Sequence, residues 1–322
     1  MLTLKERGTI LLLWVTQKPH TLEEIHSPQF FPGYLSYEYD ISDPCILHDQ
    51  LLKEGYFEPA SKEEILSSMT LAQLKNILSN IGEKQSGSKD ILVQRVVASI
   101  SDEDFHALFP SVYYRLSEAG KDLLANNQDV IILHQNPNWN ISYDEYASMR
   151  GNMEASFGFR DVLWRILNER ILIAHAERTW FQLSATYTSL GEICDKLDHS
   201  PATAVYYWLL ACCFDMNSVM DFVWTHQKLG ISFTSDEIDL IRNNIYLYPH
   251  LTKVIQKNRQ FLTDKKLNNA KRHFCSFNIY TEQDFDAFCK DILSDDALDL
   301  PKWDDFCKEK SISFLKKRGL WT

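Results

Sequence analysis

The sequence predicts a mainly α-helical protein. It reads as a small α+β domain at the N-terminus, interrupted by an inserted helical hairpin and followed by an all-helical domain. Three observations carry this. Strand-like segments are confined to YFEPA (56–60) and the alternating SVYYRLS (111–117). The residues between them, 61–110, read as helical. From about residue 136 onward nearly every segment has helical period. With 11 Gly and 10 Pro in 322 residues, composition also argues against long low-complexity linkers and against a turn-rich all-β fold.

The elements follow in order. Residues 3–17 predict a helix with Ile10, Leu11, Leu13, Trp14 and Val15 apolar. Its apolar run is too short to span a bilayer and lacks a small-residue cleavage site, so it reads as a core helix. Residues 18–41, with Pro19, Pro28 and Pro32 and three tyrosines, read as irregular. A helix capped by Ser42 or Asp43 runs to about Glu54, with Gly55 as its stop. After the second strand, Ser117 caps a helix through SEAGKDLLANN. NPNWNISYDEY reads as a linker. A helix covers about 159–191 with a break near 170. Ser200-Pro201 opens the helix PATAVYYWLLACCFDM, apolar nearly all round and so expected to be buried. Thr234-Ser235-Asp236-Glu237 opens a helix to about Gln256, and Thr281-Glu282-Gln283-Asp284 one through Ile292. The last helix, about 302–317, ends in Lys316, Lys317, Arg318 and Gly319, as the helix dipole and a glycine stop require.

The formal charge of −11 and pI near 5.4 exclude a whole-surface nucleic-acid binder, so any such contact needs a local basic patch. Seven cysteines, an odd number with no CxxC pair, fit free thiols in a reducing cytoplasm, where the protein is expected. His20, His26, Cys45 and His48 lie near one another but lack the spacing of a zinc finger or ribbon. Cys212-Cys213 reads as core, and the acidic run from Asp295 to Asp305 as a solvated surface. The chain has no P-loop, GxSxG, HExxH or dinucleotide-binding glycine pattern. The expectation is therefore a protein that is not an enzyme and needs no cofactor or metal.

The stretch Leu71–Val97 carries the readable chemistry. Leu71, Leu74, Leu78 and Ile81 share one face of a first helix, which Gly82 ends, and Ile91, Leu92 and Val96 answer from a second. Between them lies the turn Ser86-Gly87-Ser88-Lys89. Gly87 permits a turn or a close approach that a side chain would obstruct. Ser88 is placed to cap the second helix and leave its first amides to an anion such as phosphate. Lys89 sits in the first turn, where a cation opposes the dipole and is better understood if it meets an outside anion. Lys75, Lys84, Lys89 and Arg95 stand against Glu83 and Asp90, a local excess of about two positive charges in an acidic chain.

Over about 68–100 this pattern of spaced leucines, helix-ending Gly, Ser-Gly-x-Lys turn and Leu/Arg-containing second helix resembles the SAP domain, a helix-extension-helix DNA-binding module. The resemblance implies contact with duplex DNA, chiefly through its backbone and minor groove, with little base specificity. It places Ser86, Gly87, Ser88 and Lys89 nearest the DNA, with Lys75 and Lys84 flanking. It leaves Arg95 as either a contact or a residue fixing the two helices. The family usually has an apolar residue after the helix-ending Gly; here Glu83 stands there. Two further likenesses frame the stretch. HDQLLKEGYFEP and YYRLSEAGKDLL resemble the last helix, wing strands and following helix of a winged-helix domain, over about 3–127. Trp180, Leu183 and Tyr187 with Ala204, Trp208 and Ala211 resemble one helical hairpin of a tetratricopeptide-like (TPR-like) repeat.

The domains expected are a winged-helix-like body (1–60 plus 111–135), an inserted SAP-like module (61–110) and a TPR-like helical domain (141–322). The function expected is DNA tethering or regulation, with duplex DNA held by the hairpin, a protein partner by the helical half, and no membrane association. The competing expectations are an interaction scaffold with no nucleic-acid role, a metal-dependent DNA-processing enzyme, and a ligand-sensing regulator.

Overall fold

The computed structural model describes residues 1–320 except 28, 232, 235, 238, 240–246 and 248. Among the described residues there are nineteen α-helices and one three-stranded antiparallel sheet, which lies wholly in the N-terminal half. No helix among them is long and apolar enough to cross a membrane. The chain divides into two compact units, residues 1–135 and 136–322.

In the first unit, α1 (Leu4–Val15) opens with a capping box between Thr3 and Glu6 and buries Ile10 to Leu13. Residues 18–41 are irregular over most of their described length, as expected, but three short elements interrupt them: β1 (His20–Thr21) and two one-turn helices, α2 (Leu22–Ile25) and α3 (Tyr34–Tyr37). Thr21 and Glu24 make a second capping box, a local signal strong enough to hold a single turn. Asp43, not Ser42, caps α4 (Pro44–Lys53), and Gly55 after it takes a left-handed φ of 86°. β2 (Phe57–Pro59) and β3 (Tyr113–Leu116) pair antiparallel, and β1 joins the other edge of β3, giving the order β1-β3-β2.

Between β2 and β3 the chain makes four helices: α5 (Lys62–Ser68), α6 (Leu71–Asn80), α7 (Lys89–Ser99) and α8 (Asp102–Leu108). They share a core of their own. It joins Ile65 and Leu66 to Leu74, Leu78, Leu92, Val93, Val96, Ile100 and Phe105. The core therefore spans all four helices and not the hairpin alone. Ser117 caps α9 (Glu118–Ala125), and α10 (Gln128–Gln135) ends the unit.

In the second unit the expected linker is structured. Pro137–Trp139 form a 3₁₀ turn with Trp139 fully buried, and Ser142 caps α11 (Tyr143–Gly151). The long helix expected at 159–191 is two helices. α12 (Phe159–Glu177) and α13 (Trp180–Lys196) are separated at Arg178, whose φ of 61° no helix continues through. The break thus lies at 178–179 and not near 170.

α14 (Pro201–Met216) is buried along most of its length, Cys212 and Cys213 included. Trp208 on α14 lies so close to α13 that a Cβ on Gly191 would stand 2.3 Å from its indole nitrogen. Tyr187 stacks on Phe214 with ring centroids 5.4 Å apart. After α15 (Val219–Leu229), the single helix expected over 234–256 falls partly outside the described residues. Leu247 is not helical, and a separate helix, Pro249–Lys257, begins after it. A 3₁₀ turn (Arg259–Phe261) and helices Asp264–Phe274, Glu282–Ile292 and Leu300–Lys317 complete the chain. Asp299 caps the last helix, so it starts two residues before the expected 302.

Candidate nucleic-acid interface

α6 and α7 form the arms of a helix-extension-helix. Thr70 and Gln73 fix the start of α6 through a capping box. Gly82 then turns the chain with a φ of 75°. Leu74, Leu78, Leu92 and Val96 are fully buried between the arms, as the spacing predicts. Three of the expected core residues are not: Leu71 is 47%, Ile81 38% and Ile91 51% exposed. Leu71 and Ile81 sit at the two ends of α6, beyond the reach of α7. Ile91 lies instead beneath the turn, where a Cβ on Gly87 would come within 2.9 Å of it. Val93 takes the inward position that Ile91 was expected to fill.

The extension is held by side chains from α7. The Arg95 guanidinium donates to the carbonyl oxygen of Lys84 and, at 3.2 Å, to that of Ser86. Arg95 is therefore a strut across the extension, one of the two roles left open for it. Glu83, the departure from the SAP pattern, accepts a hydrogen bond from the Ser99 hydroxyl at 3.3 Å, so this residue too ties the extension to α7. Gly87 has a φ of 139° and lies against Ile91, which gives two independent reasons for glycine there.

Ser88 occupies the N-cap position of α7 with extended backbone, but its side chain accepts no hydrogen bond from the first turn. This corrects the expected capping bond. The first amides of α7 therefore carry no N-cap side-chain bond. In contrast, α5, α6 and α8 are each capped by a Ser or Thr side chain. Ser86, Gly87 and Ser88 are exposed.

Lys75 and Lys84 are exposed and Lys89 is half-buried; none of the three forms an ion pair among the described residues. They do not all face one feature. Lys89 lines an open groove of about 640 Å³ with Lys18, Arg115, Lys121 and Glu64, whereas Lys75 and Lys84 are not among its lining residues. In that groove Arg115 is engaged by Glu58 at 2.6 Å and Glu64 at 2.9 Å, and Lys121 by Glu118 at 2.7 Å. Lys18 and Lys89 are the groove cations without a carboxylate partner among the described residues. Lys18, Arg115 and Lys121 escaped the sequence reading because only folding brings them to Lys89; their spacing carries no signal.

The histidines discounted as zinc ligands have protein partners. The His20 and His48 Nε2 atoms lie 2.9 Å apart, and His20 Nδ1 donates to the Lys18 carbonyl oxygen at 2.8 Å. That bond places the His20 proton on Nδ1, so His48 donates to His20 through Nε2. His26 pairs with Asp49 at 3.3 Å, and the Cys45 thiol donates to the Ile25 carbonyl oxygen. All seven cysteines are free thiols.

Among known proteins, the family model of the SAP domain matches residues 65–100. The match covers α6, the extension and α7, and begins inside α5 at Ile65, the first residue of the shared core. The chain thus carries a segment of SAP type within a largely helical protein. No curated protein and no solved structure matches the chain.

Proposed function

We propose that the chain is a non-catalytic DNA-associated tether or regulator. The SAP-like module at 61–110, carried between β2 and β3 of a winged-helix-like body (1–60 plus 111–135), contacts the duplex backbone with little sequence preference. The observation that carries this reading is the coincidence of the SAP match with an extension braced by Arg95, where Lys84 and the flanking Lys75 and Lys89 form no ion pair among the described residues. Lys75, Lys84 and Lys89 are the phosphate contacts in this reading. Ser86, Gly87, Ser88 and the free first turn of α7 supply close backbone approach. Arg95 keeps the extension in shape. Lys18 adds a cation beside Lys89.

The helical half, about 141–322 and TPR-like in this reading, holds a protein partner. Leu172, Ile173 and Phe181 favour that assignment: all three are exposed and lie within seven residues of the α12–α13 turn.

Titration of a fluorescent duplex at two salt concentrations tests the DNA reading. The expected result is binding that weakens steeply with salt, with Lys89→Glu lowering affinity at least several-fold and reducing the salt slope by about one. Absence of binding by the wild type at low salt overturns it.

A further inference from the structure

The helix Asp264–Phe274, DKKLNNAKRHF, carries four cations and one carboxylate in a chain whose net charge is −11. Lys265, Asn268, Asn269 and Arg272 are all exposed, and their spacing of three, one and three residues puts them on one face of the helix. Ala270 and Phe274 are buried on the other side. The exposed face borders an open depression of about 860 Å³ lined with Tyr206 and Lys266, and no carboxylate lines it among the described residues.

Internal structure accounts for some of these side chains and not for others. Lys266 donates to the carbonyl oxygens of Ala202 and Phe261, and Asn269 donates to the Tyr206 hydroxyl. Lys271, on the flank of the helix, pairs with Asp286 at 2.6 Å. Lys265, Asn268 and Arg272 make no side-chain hydrogen bond or ion pair among the described residues. Lys265 stands in the first turn, where a cation opposes the helix dipole. Asn268 stands mid-helix, where an exposed asparagine lowers helix propensity. Both weaken the helix and neither makes a side-chain hydrogen bond or ion pair among the described residues, but each suits contact with phosphate. Lysine and arginine neutralise phosphate oxygens, the asparagine amide donates to them, and the Tyr206 ring lies at the same depression.

We infer that this face is a second DNA contact, in the half of the chain to which only a protein partner had been assigned. It rests on the DNA reading above for the identity of its ligand, but on none of the hairpin residues.

The test uses the full-length chain and a long duplex, with two charge-reversed variants: Lys265→Glu/Arg272→Glu, and Lys84→Glu/Lys89→Glu in the hairpin. Lys84, Lys265 and Arg272 are exposed and Lys89 is half-buried, and matched circular dichroism and melting confirm folding. The expected result is that the first variant loses about ten-fold in affinity and that its salt slope falls by about two. Acetylation of Lys265 in the wild type is slowed by added duplex. If hairpin reversal abolishes binding while Lys265→Glu/Arg272→Glu binds as the wild type does and Lys265 stays unprotected, the second contact is overturned and the tether reading stands. If Lys265 is protected and hairpin reversal changes nothing, the second contact stands and the hairpin reading fails. A wild type that binds no duplex overturns both.

Discussion

Arg95 shows how one side chain can matter to binding without touching the ligand. Its guanidinium satisfies the carbonyls of Lys84 and Ser86, and so fixes the segment that meets phosphate in the proposed DNA contact. Arg95→Met keeps the apolar stem but frees those carbonyls to water. It is expected to cost about 0.5–1.5 kcal/mol of stability and to lower duplex affinity through a loosened extension. Arg95→Lys should recover only part of the affinity, because an ammonium lacks the planar, fixed donor geometry with which Nη1 of the guanidinium reaches both carbonyls. Affinity and melting of the two variants check this. Two buried groups set the pH dependence of stability in opposite directions. Burial, with His20 beside it, holds the His48 imidazole down to about 4. Unfolding restores its ordinary value of 6.5, so the unfolded chain binds more protons between those values and stability falls as pH drops through that window. Burial raises the Asp215 carboxyl from 3.8 to about 7. Here the folded chain holds the extra proton, and stability falls as pH rises from 3.8 to 7. Asp215→Asn removes the second effect alone. The variant should match the wild type near pH 4 and exceed it at pH 7.5 by a few kcal/mol, on the order of the shift converted at 1.36 kcal/mol per unit. Denaturant unfolding at both pH values measures it. A variant no more stable than wild type at pH 7.5 would sink the assignment.

At the scale of elements, the start of α13 depends on a neighbour. Thr179 at its N-cap makes no capping bond, and Asp221 on α15 accepts from the Trp180 and Phe181 amides at 2.6 and 2.9 Å instead. Asp221→Ala leaves both amides unpartnered and is expected to cost about 1–3 kcal/mol, read as a lowered denaturation midpoint with unchanged slope. The example marks the limit of what the chain's local patterns disclose. Asp43-Pro44, Ser117 and Thr281 signal their helix starts directly, because the capping group and the helix are adjacent in sequence. YFEPA and SVYYRLS were legible as strands, and the interposed leucine spacing as a helical pair. Thr21-x-x-Glu24 and Thr70-x-x-Gln73 were equally local capping signals, and the first would have disclosed the turn hidden in 18–41. Arg178 was not legible, since nothing in its neighbourhood distinguishes a helix interior from a left-handed stop. In the site, Gly87 and the lysines of the hairpin could be read from spacing. The strut role of Arg95 and the approach of Lys18 to Lys89 could not, because both depend on a meeting of distant backbone. The face of Lys265, Asn268, Asn269 and Arg272 was legible by period alone, but its composition gains meaning only once the opposite face is known to be buried.

At the scale of the whole molecule, two small basic surfaces belong to a chain with a net charge of −11. In the proposed DNA binding, two electrostatic effects then oppose each other. Lysine–phosphate contacts release counterions, so affinity falls with salt at a slope of about −0.9 per phosphate neutralised, or roughly −2.7 for Lys75, Lys84 and Lys89 together. The remaining carboxylates repel the duplex over a range set by the Debye length, about 30 Å at 0.01 M but about 10 Å at 0.1 M. Raising salt at the low end therefore weakens the contacts and relieves the repulsion at once. Above about 0.1 M the distant repulsion is already screened and only the loss of contacts remains. The expected plot of log affinity against log salt is bent: shallow below about 50 mM and steep above about 100 mM. For a protein of even charge the same number of contacts would give a straight line. Neutralising two exposed carboxylates that line neither basic surface, by Asp295→Asn/Asp296→Asn, should raise affinity at low salt and leave it unchanged at high salt. A uniform gain at every salt concentration would mean that those residues touch the DNA site directly and that the bend has another origin.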